Sequence, residues 1–464
     1  MPCSDHSQLQ LADERVRLVR IALLLGALFV GIHASLFYFD LTDPAAFLRG
    51  DRAIDRLAHV DGLLAAGSST IVHAALDSGV PGDFLQHAVL YAIGGRYLVI
   101  ITQVALQLFT VLLMYSFVAR TSGSAKVAAA AGILIVIMPG SLLNPHLLVT
   151  EAWFTTLLLI GTVSVCEAVD TPRAAPSPFY LYLGFASLGL ASAIRPQGLL
   201  IPLVLTPYLL FAFPKARGRS LKAALLAYAL FPLSWMTLRF LLVGDFGLGS
   251  SNADLATNLA FRADRILSLP LDSTGRMDLL PFIRLAAAHP LAFLNTIYAD
   301  AFNLILNPGA NHLFGYYLQF GETLNGFSWL KVRDQSGLGG VVAELLTRNT
   351  TLVALFGIWT AIHAAVLLGV TMAGMEIVRD RHRMPRWIWI VMIVVVTTAF
   401  SGFAAGLVRW DLRSGIEPLL AILAAYGLFG RRLIGGPSRP VSLQPDACNF
   451  YRDPGRLTPA ERSN

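Results

Sequence analysis

VRIALLLGALFVGIHASLFYF, residues 19–39, is an apolar run of the length that crosses a bilayer, about 20 mostly apolar residues. It exceeds the apolar core of a secretory signal peptide, and no small-x-small cleavage site follows it. It therefore reads as a retained first span. The chain around it has the same character. Of 464 residues, 55% are hydrophobic and 14% charged, where a soluble domain is about a quarter charged. The mean hydropathy of +0.62 extends over the whole chain, which excludes a soluble core on a single anchor. The net charge of +6 is modest and is expected in cytoplasmic loops, so no nucleic-acid partner is inferred. Cys3, Cys166 and Cys448 are too scattered for a disulfide framework or a thiolate metal site.

Hydropathy predicts an all-α polytopic membrane protein with about ten spans, at 19–39, 97–119, 125–143, 148–168, 178–194, 197–213, 221–243, 352–375, 386–407 and 415–430. With the N-terminus inside, the connections that face the cytoplasm hold Arg120 and Lys126, Arg173, Lys215 to Lys222, Arg379 to Arg386, and Arg431 and Arg432. The short connections on the other side hold little beyond Arg195, Arg409 and Arg413. That is the positive-inside pattern, and it places both termini in the cytoplasm. The expected division is a tail over 1–18, a membrane module over 19–243 with a first outer loop at 40–96, and a large outer loop over 244–351. The last spans follow over 352–430, then a disordered tail over 431–464. The large loop contains amphipathic stretches such as 279–306, long enough for an interfacial or re-entrant helix.

Charges that membrane insertion does not explain gather on the outer side. FLRGDRAIDRLAHVDGLLAAG, 47–67, is dense in aspartate and arginine, yet Ile54, Leu57, Val60, Leu63 and Leu64 recur at helical spacing. Asp51 and Asp55, four apart, share a face, and a solvated interfacial helix explains them equally well. Glu151 opens the fourth span. It is either a functional acid near membrane depth or an acid favoured by the helix dipole behind a Thr150 cap. Arg195 with Pro196 interrupts two apolar runs, as a snorkelling arginine or as a clamp for a lipid phosphate. Arg409 and Arg413 stand where positive charge is otherwise avoided, with Asp411 and Glu417 as alternative mates.

The order of these pieces carries a resemblance. GD at 50–51 leads a helix ending LLAAG. GVPGDFLQHAVLYAI (79–93), Gln103, MPGSLLNPHLLVTEAWF (138–154), LGLASAIRPQGLLIPLVL (188–205) and RWDLRSGIEPLLAILAAYGL (409–428) follow. Together, over about residues 20–430, they resemble the glycosyltransferase-C superfamily. The nearest branch is the bacterial enzymes related to dolichyl-phosphate-mannose protein mannosyltransferases and aminoarabinose lipid A transferases. The resemblance implies a glycosyltransferase-C fold whose outer loops carry interfacial helices, sited in a bacterial inner membrane. It also implies transfer of a sugar from a polyprenyl-phosphate carrier to a protein, lipid or glycan acceptor on the extracytoplasmic face. Asp51 matches the family's acid in the first outer loop, its base or acceptor-binding group. Asp55 stands where a tyrosine is common, and Arg52 where a second acid often adjoins. Glu151 matches the acid opening the fourth span, and Arg195 the arginine of the family's RP turn. Arg409 and Arg413 fall in a segment like the family's RYR…P, whose arginines approach the carrier phosphate.

That chemistry suits the residues. A carboxylate must orient or deprotonate the attacking group, and cations must stabilise charge on the departing phosphate. Asp51 is expected in the first role; Asp55, Glu151, Arg195, Arg409 and Arg413 are expected to bind substrate. With no attacking side chain the displacement is single and inverts. No cofactor is implied firmly. A divalent metal at Asp51 stays open, although one acid beside an arginine makes a poor cation site. A flippase or transporter for a lipid-linked or anionic solute is the main alternative. It would need ionisable residues inside several spans, for which Arg239 and His363 are the main candidates, and no internal repeat supports it. An O-antigen polymerase or ligase is a further alternative, though the early GD helix is not its mark.

Overall fold

The computed structural model describes residues 5–48, 53–65, 85–170, 177–244, 246–247, 251–269, 273–306, 350–380, 384–404 and 414–430, with residue 82 and isolated positions between 336 and 347. Among these residues every regular element is a helix. The chain is an all-α protein whose apolar helices mark it as membrane-embedded.

Helix α1 spans Asp5–Thr42, and a short 3-10 turn, Pro44–Leu48, leads to α2, Ala53–Ala65. Helix α3, Leu85–Ser122, bends at Gly94 and Gly95. Gly95 has φ 62°, a left-handed conformation that glycine adopts without strain, and the expected span at 97–119 starts just past it. Helices α4, Ala125–Ile137, and α5, Pro139–Leu143, are followed by a 3-10 turn, Asn144–His146, and α6, Glu151–Asp170. Next come α7, Pro178–Ile194, α8, Leu200–Ala212, α9, Arg217–Leu230, and α10, Pro232–Val243. Residues 251–306 supply α11, Ser251–Leu267, α12, Leu279–Ala288, and α13, Pro290–Leu306. Helices α14, Thr350–Arg379, α15, Arg386–Ala404, and α16, Glu417–Phe429, complete the order.

Each of the ten expected spans falls on a helix, but the structure does not show ten crossings. Five helices are long and apolar enough to cross alone, or up to seven if two bent pairs each count as one. Proline is the main reason. Pro139 interrupts the third expected span, so α4 and α5 meet at 57°. Helices α7 and α8, separated by Arg195–Pro196, and α16 are apolar but shorter than a full crossing, and the apolar stretch of α15 among the described residues is Arg386–Ser401. The second bent pair, α12 and α13 at 108°, falls in the segment expected as the large outer loop and has the geometry of either a broken span or a re-entrant hairpin.

Helices α6 and α16 are buried almost all round, as apolar helices at the centre of a bundle are. Small residues let backbones approach: Gly161 of α6 faces Gly184 and Leu188 of α7, and Gly427 of α16 faces Gly369 and Ala373 of α14. The contacts also fix helix directions. At one end the Tyr115 hydroxyl donates to the Leu18 carbonyl (3.0 Å), Arg120 pairs with Glu167 (2.7 Å), and the Arg386 guanidinium lies 4.8 Å above the Phe213 ring. At the other end Asp40 meets His146, Glu151 meets Arg195, and Glu417 adjoins Gly140. Helix α3, the bent α4–α5 pair, and helices α6, α7 and α8 therefore alternate in direction. The 20 residues from Glu151 to Asp170 rise about 30 Å, the thickness of a hydrocarbon core.

Candidate functional site

The non-basic end of the bundle is organised by one segment, Met138–Ala152, in which every residue is buried. Met138 is extended (φ −70°, ψ 142°), the conformation favoured before proline, and it ends α4. After α5 and the 3-10 turn, Leu147 is extended as well (φ −114°, ψ 156°). Buried non-helical backbone needs partners, and at membrane depth it is tolerated only inside protein or along a cavity. The segment finds them on separate elements. Gln103 Nε2 of α3 donates to the Leu147 carbonyl (3.1 Å), Leu148 N–H donates to the Phe47 carbonyl (3.1 Å), and Arg56 Nη1 of α2 donates to the Leu148 carbonyl (3.3 Å).

The segment delivers Thr150 and Glu151 to Arg195. Residue 195 closes α7 in an extended conformation (φ −143°, ψ 130°), and Pro196 opens the next 3-10 turn. Arg195 Nη2 pairs with Glu151 Oε1, and Arg195 Nε donates to Thr150 Oγ1 at 3.2 Å. Glu151 is 4% exposed, and its Oε2 has no hydrogen-bond partner among the described residues. The Arg195 side chain is 13% exposed, so it turns inward to the acid and does not snorkel outward. Glu151 also keeps the dipole position, as the first residue of α6. The pair leaves a carboxylate oxygen and a guanidinium side by side in buried, low-dielectric surroundings. Such surroundings strengthen interactions with an anion or a hydroxyl.

Beside this pair runs a chain of buried polar groups. His146 Nδ1 lies 2.5 Å from Asp40 Oδ2, and His146 Nε2 lies 2.7 Å from His33 Nδ1. The two imidazoles stack with planes 4° apart, and Phe29 covers His33 at 4.0 Å between ring centroids. All three polar residues are at most 2% exposed. Glu417 is buried at the start of α16, against Gly140. Gln107 donates to Ser141 (2.6 Å) one turn deeper.

Of the sequence-derived candidates, the structure brings Glu151 and Arg195 together. Asp51, Arg409 and Arg413 lie outside the described residues. Asp55 belongs to α2, whose Leu57 packs on the cluster around Phe47 and Leu148 and whose Val60 is buried, while Ile54 and Leu64 are exposed. The helix is therefore present, with its inner face set against the site segment. Asp40, His33 and His146 were not recognised from sequence. The available signal was two ionisable residues seven apart, hence on one face, within and just after the first apolar run. Among the described residues, no group of His, Cys, Asp and Glu is arranged to hold a metal ion. Comparisons with protein-family models, curated proteins and solved structures find no match to this chain.

Proposed function

We propose that the chain is a membrane glycosyltransferase that moves a sugar from a polyprenyl-phosphate carrier to an acceptor on the extracytoplasmic face of a bacterial inner membrane. The observation that carries this reading is the Glu151–Arg195 pair, buried at one end of a helix bundle on a non-helical segment. Transfer from a lipid phosphate needs a fixed cation where phosphate charge develops and a carboxylate where a hydroxyl is oriented. Arg195 supplies the cation, with Arg409 and Arg413 as further phosphate contacts, and Glu151 holds Arg195 in place. Asp51 precedes α2 by two residues in sequence, and Arg56 of α2 bonds the site segment; Asp51 is the assigned base, with Asp55 on the acceptor side. The acceptor oxygen attacks the anomeric carbon, and its proton passes to Asp51. The bond from that carbon to the phosphate oxygen breaks, and its electron pair stays on the phosphate. The sugar inverts because no side chain attacks it.

Ten crossings with both termini in the cytoplasm complete the proposal. The short apolar helices α7, α8, α15 and α16 and the bent pair α4–α5 make up the number. The reading is supported by the separation of ends: Arg120 and Arg386 lie at the end opposite Glu151 and Arg195. A flippase is the second reading. The buried His33 within α1 favours it, since ionisable groups inside spans mark transport paths.

The test is release of free polyprenyl phosphate when purified protein in nanodiscs meets polyprenyl-phosphate sugars. Wild type is expected to release it, and Asp51→Asn and Arg195→Gln to fall on the order of 10²-fold. Scrambling of a fluorescent lipid-linked sugar without any release replaces the transferase by the flippase.

A further inference from the structure

We propose that Asp40, His146 and His33 form a positioning triad that locks the site segment and thereby sets the Glu151–Arg195 pair. The Asp40 carboxylate only accepts hydrogen bonds, so His146 carries its proton on Nδ1. With that single proton His146 offers its Nε2 lone pair, and the 2.7 Å contact is then a hydrogen bond donated by His33 Nδ1. In the proposed triad the hydrogen bonds run in one direction, from His33 to His146 to Asp40, with the proton of each ring on Nδ1. His33 Nε2 is left as an unpartnered acceptor among the described residues, and the buried Asp40 Oδ1 is unpartnered too. A buried carboxylate with incomplete hydrogen bonding is costly to keep.

What it does is fix residue 146 to α1. From His146 to Thr150 is four residues, so those positions lie within about 14 Å even when extended. Between them the backbone is tied by Gln103, Arg56 and Phe47, and at the far end Thr150 and Glu151 receive Arg195. Rotation of the His146 ring would release the first anchor of this stretch and carry the error to its last residue. Asp40 and the two histidines are therefore positioning residues that act through Glu151. Their catalytic consequence rests on the glycosyl-transfer reading; their effect on the pair does not.

The experiment uses the full chain in lipid, labelled with ¹⁵N in histidine and arginine. In wild type both rings are expected to carry the proton on Nδ1; a His146 proton on Nε2 overturns the triad. Asp40→Asn is expected to move part of the His146 population to the other tautomer and to shift the Arg195 Nε signal, with Asp40→Glu closer to wild type. An Arg195 signal unmoved in a folded Asp40→Asn protein overturns the positioning role. Should Asp40→Asn not fold, His33 variants carry the same test. His33→Gln keeps a donor for His146 and should leave the Arg195 signal in place, whereas His33→Leu should move it. Equal signals in those two overturn the proposal. In the release assay Asp40→Asn should lose about 10- to 100-fold in kcat, as loss of an orienting partner does. Placed on Glu151→Gln, it should lose less than about 2-fold more, since residues that act as a unit are not additive. Equal losses in both backgrounds again overturn the triad. A wild type that releases no polyprenyl phosphate counts against the transferase alone, and the ¹⁵N signals still decide the triad.

Discussion

Arg195 at the end of α7 closes on Glu151 at the start of α6, so two helix ends that α6 and α7 would otherwise splay are joined by one buried ion pair. Breaking a buried pair leaves an uncompensated charge and costs on the order of 3 kcal/mol, more than the pair itself contributes. Glu151→Gln and Arg195→Met are each expected to lower the thermal midpoint in detergent. The double variant Glu151→Leu, Arg195→Met should recover most of the loss, because no lone charge remains. A double variant less stable than either single one would show that the pair stabilises by more than mutual compensation.

Gln103 gives a separate handle on the site segment. It is fully buried, and its Nε2 is the donor at 3.1 Å to the Leu147 carbonyl. Gln103→Leu fills similar space but leaves that carbonyl without the bond, a loss of about 1–3 kcal/mol. The segment is then held by fewer ties, so polyprenyl-phosphate release should fall further than stability alone accounts for. The measurement compares release per folded molecule with the thermal midpoint. An unchanged release rate in a destabilised variant would detach Gln103 from the site.

The helices were legible because apolar runs are the strongest signal a membrane chain carries: α1, α3, α6 and α14 fall where hydropathy puts them. What hydropathy does not measure is continuity. Met138–Pro139 cuts the run 125–143, which reads as one span, whereas the break at Arg195–Pro196 was legible; the residues at both breaks became the site. Glu151 and Arg195 were visible one by one as charges in costly places. Their pairing was not, because it joins residues 44 apart in sequence. Asp40 and His33 were missed for another reason. A single histidine and a terminal aspartate barely lower the apolar mean of a 27-residue run, so the run reads as plain membrane anchor.

The α11–α13 unit should stand or fall on Asp300. This residue, 4% exposed, accepts from Arg262 of α11 and, at 2.7 Å, from Arg265, and so ties α11 to α13. Burial pulls the Arg262 guanidinium below its ordinary range, and the Asp300 charge opposes that pull. Asp300→Asn leaves two neighbouring cations with no counter-charge here. It is expected to cost on the order of 3 kcal/mol and to open the α11–α13 unit to protease. Arg265→Met removes the more exposed partner, whose side chain is 28% accessible, and should cost under about 1 kcal/mol. Equal protease sensitivity of the two variants would remove Asp300 from its central place.

Gly427 and Gly26 separate packing from helix propensity. Both lie in apolar helices, so alanine at either favours the helix by about 1 kcal/mol if nothing else changes. A Cβ at Gly26 meets nothing within 4 Å, whereas a Cβ at Gly427 meets the Gly369 carbonyl and the Ala373 amide of α14. Those are backbone atoms and cannot rotate away, so α14 and α16 must separate. Overpacking of that kind costs about 1–3 kcal/mol. Gly26→Ala should therefore be neutral or slightly stabilising, and Gly427→Ala clearly destabilising, by thermal denaturation in detergent. The separation has a consequence at the far end of α16, where Glu417 touches Gly140 of the site segment. Gly427→Ala should thus reduce polyprenyl-phosphate release although it lies about 15 Å along the helix from Glu417, at 1.5 Å per residue. Loss of stability with release per folded molecule unchanged would mean that α16 moves without carrying α5 along.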